Sequence, residues 1–239
     1  MKNVKKFIKP VKPFSLLLLY LTVFLPVTVF AEEIQIPASR DATLIESAEG
    51  NTANGSGPIF FAGRTNQPAH GIRRALVYFD VASALPKNAI IDFANLTLYQ
   101  QSNNPEEVDV SLYRLQTGWG EGVSSSSGGR GRPAENGDST WLHRFWPSRQ
   151  WQQPGGEFIS RASATQSVAG DGVCRWPGTS HLINDVRLWL QQPEQNFGWL
   201  LRGDENTPGT AKRFSSRESN DIDRRPILTV RYHLPGNKH

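Results

Sequence analysis

Few residues of this chain are spaced for catalysis. There is no G-x-S-x-G and no H-E-x-x-H. Neither an exposed serine on a strand–helix elbow nor a helical pair of zinc-binding histidines is on offer. His70, His143, His181, His233 and His239 share no metal-ligand spacing. Cys174 is the sole cysteine. A nucleophilic thiol needs a base beside it, and none is patterned around GVCRWPG, so a buried structural thiol is expected. Asp80, Asp185 and Glu218 could act as acid and base only if the fold brought them across one groove. Nothing in their spacing does so, and no enzyme is expected.

The stretch TWLHRFWPSRQWQQPGGEF, residues 140–158, carries a different chemistry. It holds three tryptophans, two phenylalanines and two arginines. A ring face can stack on the C–H face of a sugar, and the planar fork of an arginine matches a carboxylate or sulfate. Trp146 and Trp151 flank Pro147 and Arg149 and are the candidates for an exposed platform, with Arg144 and Arg149 beside them for charge. The alternative is a local cluster of Trp146, Trp151 and Phe145 that closes the sandwich edge. Arg213 and Arg217 are four apart, so an extended strand points both to one face. They can form a row that reads carboxylates, or they can pair with Glu205, Glu218 and Asp221.

A metal is weighed on the oxygen-rich turns. ESNDID (218–223) places Glu218, Asp221 and Asp223 together before the last strand, and RDATLIE adds Asp41 and Glu46. A structural Ca2+ is the cofactor candidate there, against an acidic turn that is solvated or paired with Arg224 and Arg225. No complete ligand loop is visible, and the expectation is no cofactor.

The elements that must position these residues are short and extended. Strands are expected over 42–46, 58–62, 75–80, 94–100, 108–114, 158–160, 164–168, 198–202, 211–216 and 227–232. Turn clusters of Gly, Pro, Asn and Ser separate them. One segment has helical period: Leu182, Val186, Trp189 and Leu190 recur at i, i+4, i+7 and i+8. Thr179 or Ser180 can cap it, and Pro193 ends it. Pro105 marks a turn. The low-complexity loop 118–139 is expected to be mobile. The fold class is all-β: an antiparallel β-sandwich (jelly roll) with one short amphipathic helix.

Residues 1–31 carry five lysines, then an uncharged apolar run from Phe14 to Phe30, then small residues at Val29 and Ala31. This pattern implies a signal peptide removed after Ala31, leaving a single domain over 32–239. The chain has 26 Lys and Arg against 22 Asp and Glu. Removing five lysines and no acid leaves 21 against 22, about −1. No nucleic-acid partner is expected, since phosphate binding needs surplus positive charge. No stable membrane span is expected after cleavage. With a single cysteine there is no internal disulfide, so the fold must be held by its core.

Several motifs fall in a familiar order. The segment 139–205 reads STW…PGGEF…ASATQSV…INDVRLWLQQPEQNFGWLLRGDE. It is preceded by RDATLIES (40–47) and RRALVYFDVASALPKNAIIDFANLTLY (73–99), and followed by RFSSRESNDIDRRPILTVRY (213–232). This order resembles the DNRLRE-type domain of secreted proteins, also grouped as carbohydrate-binding module family 96. The resemblance implies a jelly-roll sandwich outside the cytoplasm, secreted or periplasmic. It implies a non-catalytic module for extracellular or envelope polysaccharide, acidic polymers such as alginate included. Trp141 and Phe158 fall at signature positions and are expected to be core plugs. Two alternatives stand beside this reading: a structural or adhesive module for a cell-surface protein, and a lyase-like enzyme with a shallow groove.

Overall fold

The computed structural model describes residues 31–101 and 106–235. The expected signal peptide and Pro105 lie outside them, apart from Ala31. In chain order the elements begin with β1 (Glu32–Pro37), β2 (Arg40–Ile45), β3 (Thr52–Asn54), β4 (Ile59–Arg64), β5 (Ile72–Tyr78) and the single turn α1 (Val81–Ala84). Next come β6 (Ile90–Gln100), β7 (Val108–Arg114), β8 (Arg132–Pro133), β9 (His143–Phe145) and β10 (Arg149–Gln150). The chain continues through β11 (Ala164–Val168), β12 (Gly172–Trp176), α2 (Ser180–Gln191), β13 (Trp199–Arg202), β14 (Lys212–Ser215) and β15 (Ile227–His233).

These strands form an antiparallel β-sandwich. In the first layer β15 lies between β1 and β6, and β12 and β14 also pair with β6. In the second layer the order runs β11, β7, β13, β5, β2, β3, β8. The strand β4 joins the layers. Its residues Ile59 to Ala62 pair with β14, while Gly63 and Arg64 pair with β5. Gly63 sits at the crossing with φ +115°, and a Cβ there would come within 2.9 Å of the Ala211 Cα. Only glycine accepts that corner without strain.

Alternation decides which side chains enter the core. On β6, Ile91, Ala94, Leu96 and Leu98 point inward, and on β15 Leu228, Val230 and Tyr232 do so. From the other layer Ala75, Val77, Val110, Leu112, Trp199 and Leu201 meet them. Burial of these groups provides the main stabilisation, at about 25 cal/mol per Å2 of apolar surface.

The helix closes one side of the sandwich. Thr179 caps it by accepting from the Leu182 N–H at 3.1 Å. The apolar stripe Leu182, Val186, Trp189 and Leu190 is buried as its spacing predicts, and Trp189 packs on Trp199 with ring centroids 4.4 Å apart. Arg187 donates from Nε and Nη2 to the Ile91 carbonyl at 3.1 and 2.6 Å. The helix therefore covers a stretch of β6 that β12 does not reach. Gly178 permits the approach, since a Cβ there would stand 2.4 Å from the Phe93 ring.

The strands differ from expectation mainly at short or edge elements. The 158–160 segment makes only an isolated bridge from Phe158 to Leu115. Among the strands with no sequence expectation are β1, with its alternating EEIQIP, and β12, where Cys174 and Trp176 are buried and Val173 is exposed. Cys174 is the buried thiol expected, and burial pushes its pKa up.

Candidate ligand-binding groove

The outer face of the second layer is divided in two. Over β2, β5 and β13 it is covered by the segment that runs from Leu115 to Phe158. Ala42, Leu44, Leu76 and Leu200 point outward from the sheet and are buried with Leu115, Trp119, Trp141 and Trp151. This is a second apolar layer outside the sandwich. Two of its three tryptophans satisfy their indole N–H groups: Trp119 Nε1 donates to the Phe197 carbonyl and Trp151 Nε1 to the Thr140 carbonyl, both at 2.9 Å.

The covering segment includes the low-complexity stretch 118–139, expected to be mobile from its composition, and here it is tied to the sheet by hydrogen bonds. Asp138, fully buried, gathers it: one oxygen accepts from the Ser124 N–H at 3.3 Å, and the other from the Glu135 N–H at 2.6 Å and from the Ser124 hydroxyl. Asn54 on β3 accepts from the Ser126 N–H at 2.8 Å. The buried Arg73 donates to the carbonyls of Gly129 and His70 at 2.5 and 2.9 Å and to Gln67 Oε1 at 2.9 Å. Burial lowers its pKa to about 10. A Ser/Gly-rich stretch can be held in this way when buried polar groups offer it partners in place of water.

The proposed platform is not realised as expected. Trp151 is buried in the outer layer and cannot stack on a ligand. Its spacing beside Pro147 signalled irregular backbone, and that backbone is folded onto the sheet. Trp146 is half-buried with its edge against His143, centroids 4.7 Å apart. Arg144 donates to the Gly118 carbonyl at 3.2 Å. Arg144 and the exposed Arg149 each lie over the Phe145 ring, 5.6 Å from its centroid. Trp141 is the core plug expected, while Phe158 is half-buried against Tyr113.

Arg213 and Arg217 do not form a row, because β14 ends at Ser215. Arg213 is exposed and donates to Gln101 Oε1 at 3.2 Å. Arg217 instead holds Glu121 at 2.7 Å and Glu218 at 2.8 Å, and its backbone N–H donates to Asp41 at 2.7 Å. Desolvation raises the pKa of buried Asp41 well above the ordinary carboxylate range and raises that of Glu218.

The carboxylates considered for catalysis or calcium have separate tasks. Asp80 caps α1. Asp185 accepts from Ser163 and Trp199 and pairs with Arg114. Asp221 pairs with Arg224, and Glu46 accepts from the Ile72 N–H. Among the described residues no group of three or more His, Cys, Asp or Glu is placed to hold a metal ion. Nor is any helix among them long and apolar enough to cross a membrane.

The other half of the outer face, over β7 and β11, stays open. There a groove of about 550 Å3 is lined by Asp109, Ser111 and Tyr113 of β7, Ser167 of β11, Arg202 of β13 and Asp204. Its walls are set by internal bonds. Ser111 and Thr165 share a hydroxyl–hydroxyl bond of 2.7 Å across the two strands, and Ser167 donates to Glu107 at 2.7 Å. Glu205 holds both Arg202, at 2.8 Å, and Arg74, at 2.7 Å. Asp204 accepts from the Asn206 N–H at 2.7 Å, and hydrogen bonds from Thr207 and Asn206 hold its carboxyl below the usual range. The Tyr113 ring is fixed on Phe158 at 5.2 Å. The Asp109 carboxylate and the Tyr113 hydroxyl have no hydrogen-bond partner among the described residues.

Sequence reasoning placed no residue of this groove in a site; Glu205 entered only as an ion-pair partner. The signal was present in β7, where Val108, Val110 and Leu112 face in while Asp109, Ser111 and Tyr113 must face out. No family model matches the chain, and none of the curated proteins does.

Proposed function

We propose that this chain is an exported, non-catalytic β-sandwich module that binds polysaccharide along the groove over β7 and β11. The observation that carries the reading is that groove: about 550 Å3 of open sheet face with an uncommitted carboxylate, a fixed phenol and paired hydroxyls on rigid strands. Such groups exchange hydrogen bonds with sugar hydroxyls while a ring covers the C–H face. The apolar run at 14–30 with its lysine-rich start supports export, and the order of motifs resembling DNRLRE-type domains supports a sugar-binding role.

The lining also narrows the ligand. Glu107, Asp109, Asp204 and Glu205 stand against Arg202 in the groove. An excess of carboxylates repels a polyanion and suits a neutral, hydroxyl-rich or amine-bearing glycan. A glycan array with neutral, amino and acidic polymers tests this, with alginate, pectin and sulfated polymers among the acidic ones. Binding to neutral or amino polymers that is lost in Asp109→Ala supports it. Silence across the array sinks it and favours a cell-surface protein as the partner.

A further inference from the structure

Beneath α2, at the end of the sandwich, lies a smaller and more enclosed cavity of about 280 Å3. It is lined by Arg114, Arg161, His181, Asn184 and Asp185, with Ile159 and Leu188 as its apolar wall. The carboxylate of Asp185 is fully engaged. Its Oδ2 accepts from the Ser163 hydroxyl at 2.5 Å and from Trp199 Nε1 at 2.9 Å, and its Oδ1 meets Arg114 Nε at 2.9 Å. That contact is an ion pair and tethers the guanidinium beside Asp185. Its two terminal amino groups have no other partner among the described residues. Arg161, exposed at the rim, forms no ion pair or hydrogen bond among the described residues; the His181 ring forms no hydrogen bond among them and interacts electrostatically with the Asp185 carboxylate.

We infer that this cavity is an oxyanion site, in which Arg114 and Arg161 grip a carboxylate, sulfate or phosphate group while His181 and Asn184 complete its hydrogen bonds. Two guanidinium forks on one small cavity match the geometry of a planar or tetrahedral oxyanion. The Asp185 contact holds Arg114 in place before any ligand arrives, which lowers the ordering cost of binding. Ile159 and Leu188 exclude water from one side and strengthen the charge pairing. The site is separate from the β7–β11 groove, takes the opposite charge, and does not depend on the groove's binding sugar.

The test uses the secreted chain, 15N-labelled, titrated at constant ionic strength with inorganic sulfate, inorganic phosphate and glucuronate in turn. The expected result is a saturable shift of the His181 and Asn184 signals with at least one of the three. In Arg161→Ala the affinity should fall at least about tenfold, whereas Arg175→Ala, which removes an exposed arginine from the first layer, should leave it unchanged. Arg161 is exposed and forms no ion pair or hydrogen bond among the described residues, so its variant should keep the fold. The tightest of the three probes identifies the source: glucuronate for a uronate sugar, sulfate or phosphate for an ester or the free ion. Absence of saturation with all three overturns the inference. So does an equal loss in Arg161→Ala and Arg175→Ala, which would mean diffuse charge attraction.

Discussion

The two halves of the second layer's outer face are built from the same kind of strand and end differently. On β13 the run Trp199, Leu200, Leu201 is buried on both faces of the sheet, and on β5 Ala75, Leu76 and Val77 are likewise. On β7 the pattern is strict alternation: Val108, Val110 and Leu112 are buried, while Asp109 is exposed and Ser111 and Tyr113 are half-buried. A continuous apolar run asks for cover on both sides, and an alternating run asks for cover on one. The Leu115–Phe158 segment supplies the second cover only where the strands demand it. What remains is a wet strip of sheet with fixed polar groups, which is where recognition can occur.

The sharpest way to break this comparison is to remove the cover's anchor. Trp119 is fully buried in the outer layer, and Arg40 lies 5.0 Å over its ring. Trp119→Ala should cost about 3–5 kcal/mol in urea unfolding. A loss under about 1 kcal/mol would mean that the outer layer rests on the sheet without contributing to its stability. Asp138→Ala should cost somewhat less, about 1–3 kcal/mol, by leaving the buried Ser124 donors and the partly buried Glu135 N–H without their acceptor. Its signature is local: proteolysis should cut within 120–138 before the sandwich unfolds.

How much of this could be read from the sequence follows the same division. The sandwich strands and α2 were accessible because period-2 and period-3.6 patterns report burial against one neighbouring layer. The cover was not. Ser124–Ser127 and Gly128–Gly129 look like a solvated linker, and only the long-range partners Asp138, Asn54 and Arg73 make them ordered. Trp146 and Trp151, on irregular backbone, are open to both an exposed platform and a local cluster because no period assigns them a face. Trp151 belongs to a layer that local sequence cannot announce. The continuous runs ALVYF and WLL were the available clue, since they demand an outer cover that no expected strand supplied. For the site, Asp109 and Tyr113 carry no local signal beyond their outward phase on β7, whereas clustered arginines stand out in composition. Ion pairing with Glu218, one of the alternatives for Arg217, is what the structure contains.

Acid titration separates the halves with opposite signs. Asp41 and Glu218 sit at the seam where Arg217 ties the cover, through Glu121, to β2 and β14. Burial raises both pKa values in the folded state. Their neutral forms are favoured by the fold, so their contribution is complete below the unfolded carboxylate value and is lost as pH rises through the folded one. Stability at this seam should therefore increase as pH falls through the raised folded-state values towards the ordinary carboxylate range at about 4, by up to about 1.4 kcal/mol per pH unit for each group that titrates. Asp41→Asn should flatten the curve of melting temperature against pH. Asp204, in the open half, has a lowered pKa. Its contribution is present above the unfolded value and fades only as pH falls below about 4. A melting temperature that drops steadily as pH falls from neutrality towards about 4 would contradict the assignment at the seam.

The smallest stability effect belongs to the open half, and it sharpens the comparison most. Asp109 is exposed, lies on a strand paired on both sides, and has no recorded side-chain partner among the described residues. Asp109→Ala should therefore change unfolding free energy by less than about 0.5 kcal/mol, and removing an unpaired carboxylate beside Glu107 can even be stabilising. Glycan retention on affinity electrophoresis should nevertheless fall, because the lost acceptor faces the groove. A variant that keeps its stability and loses its ligand locates recognition on the uncovered strip. One that loses stability by more than about 1 kcal/mol with binding intact would show that β7's outer face is as structural as β13's, and that covered and open halves differ only in solvent exposure.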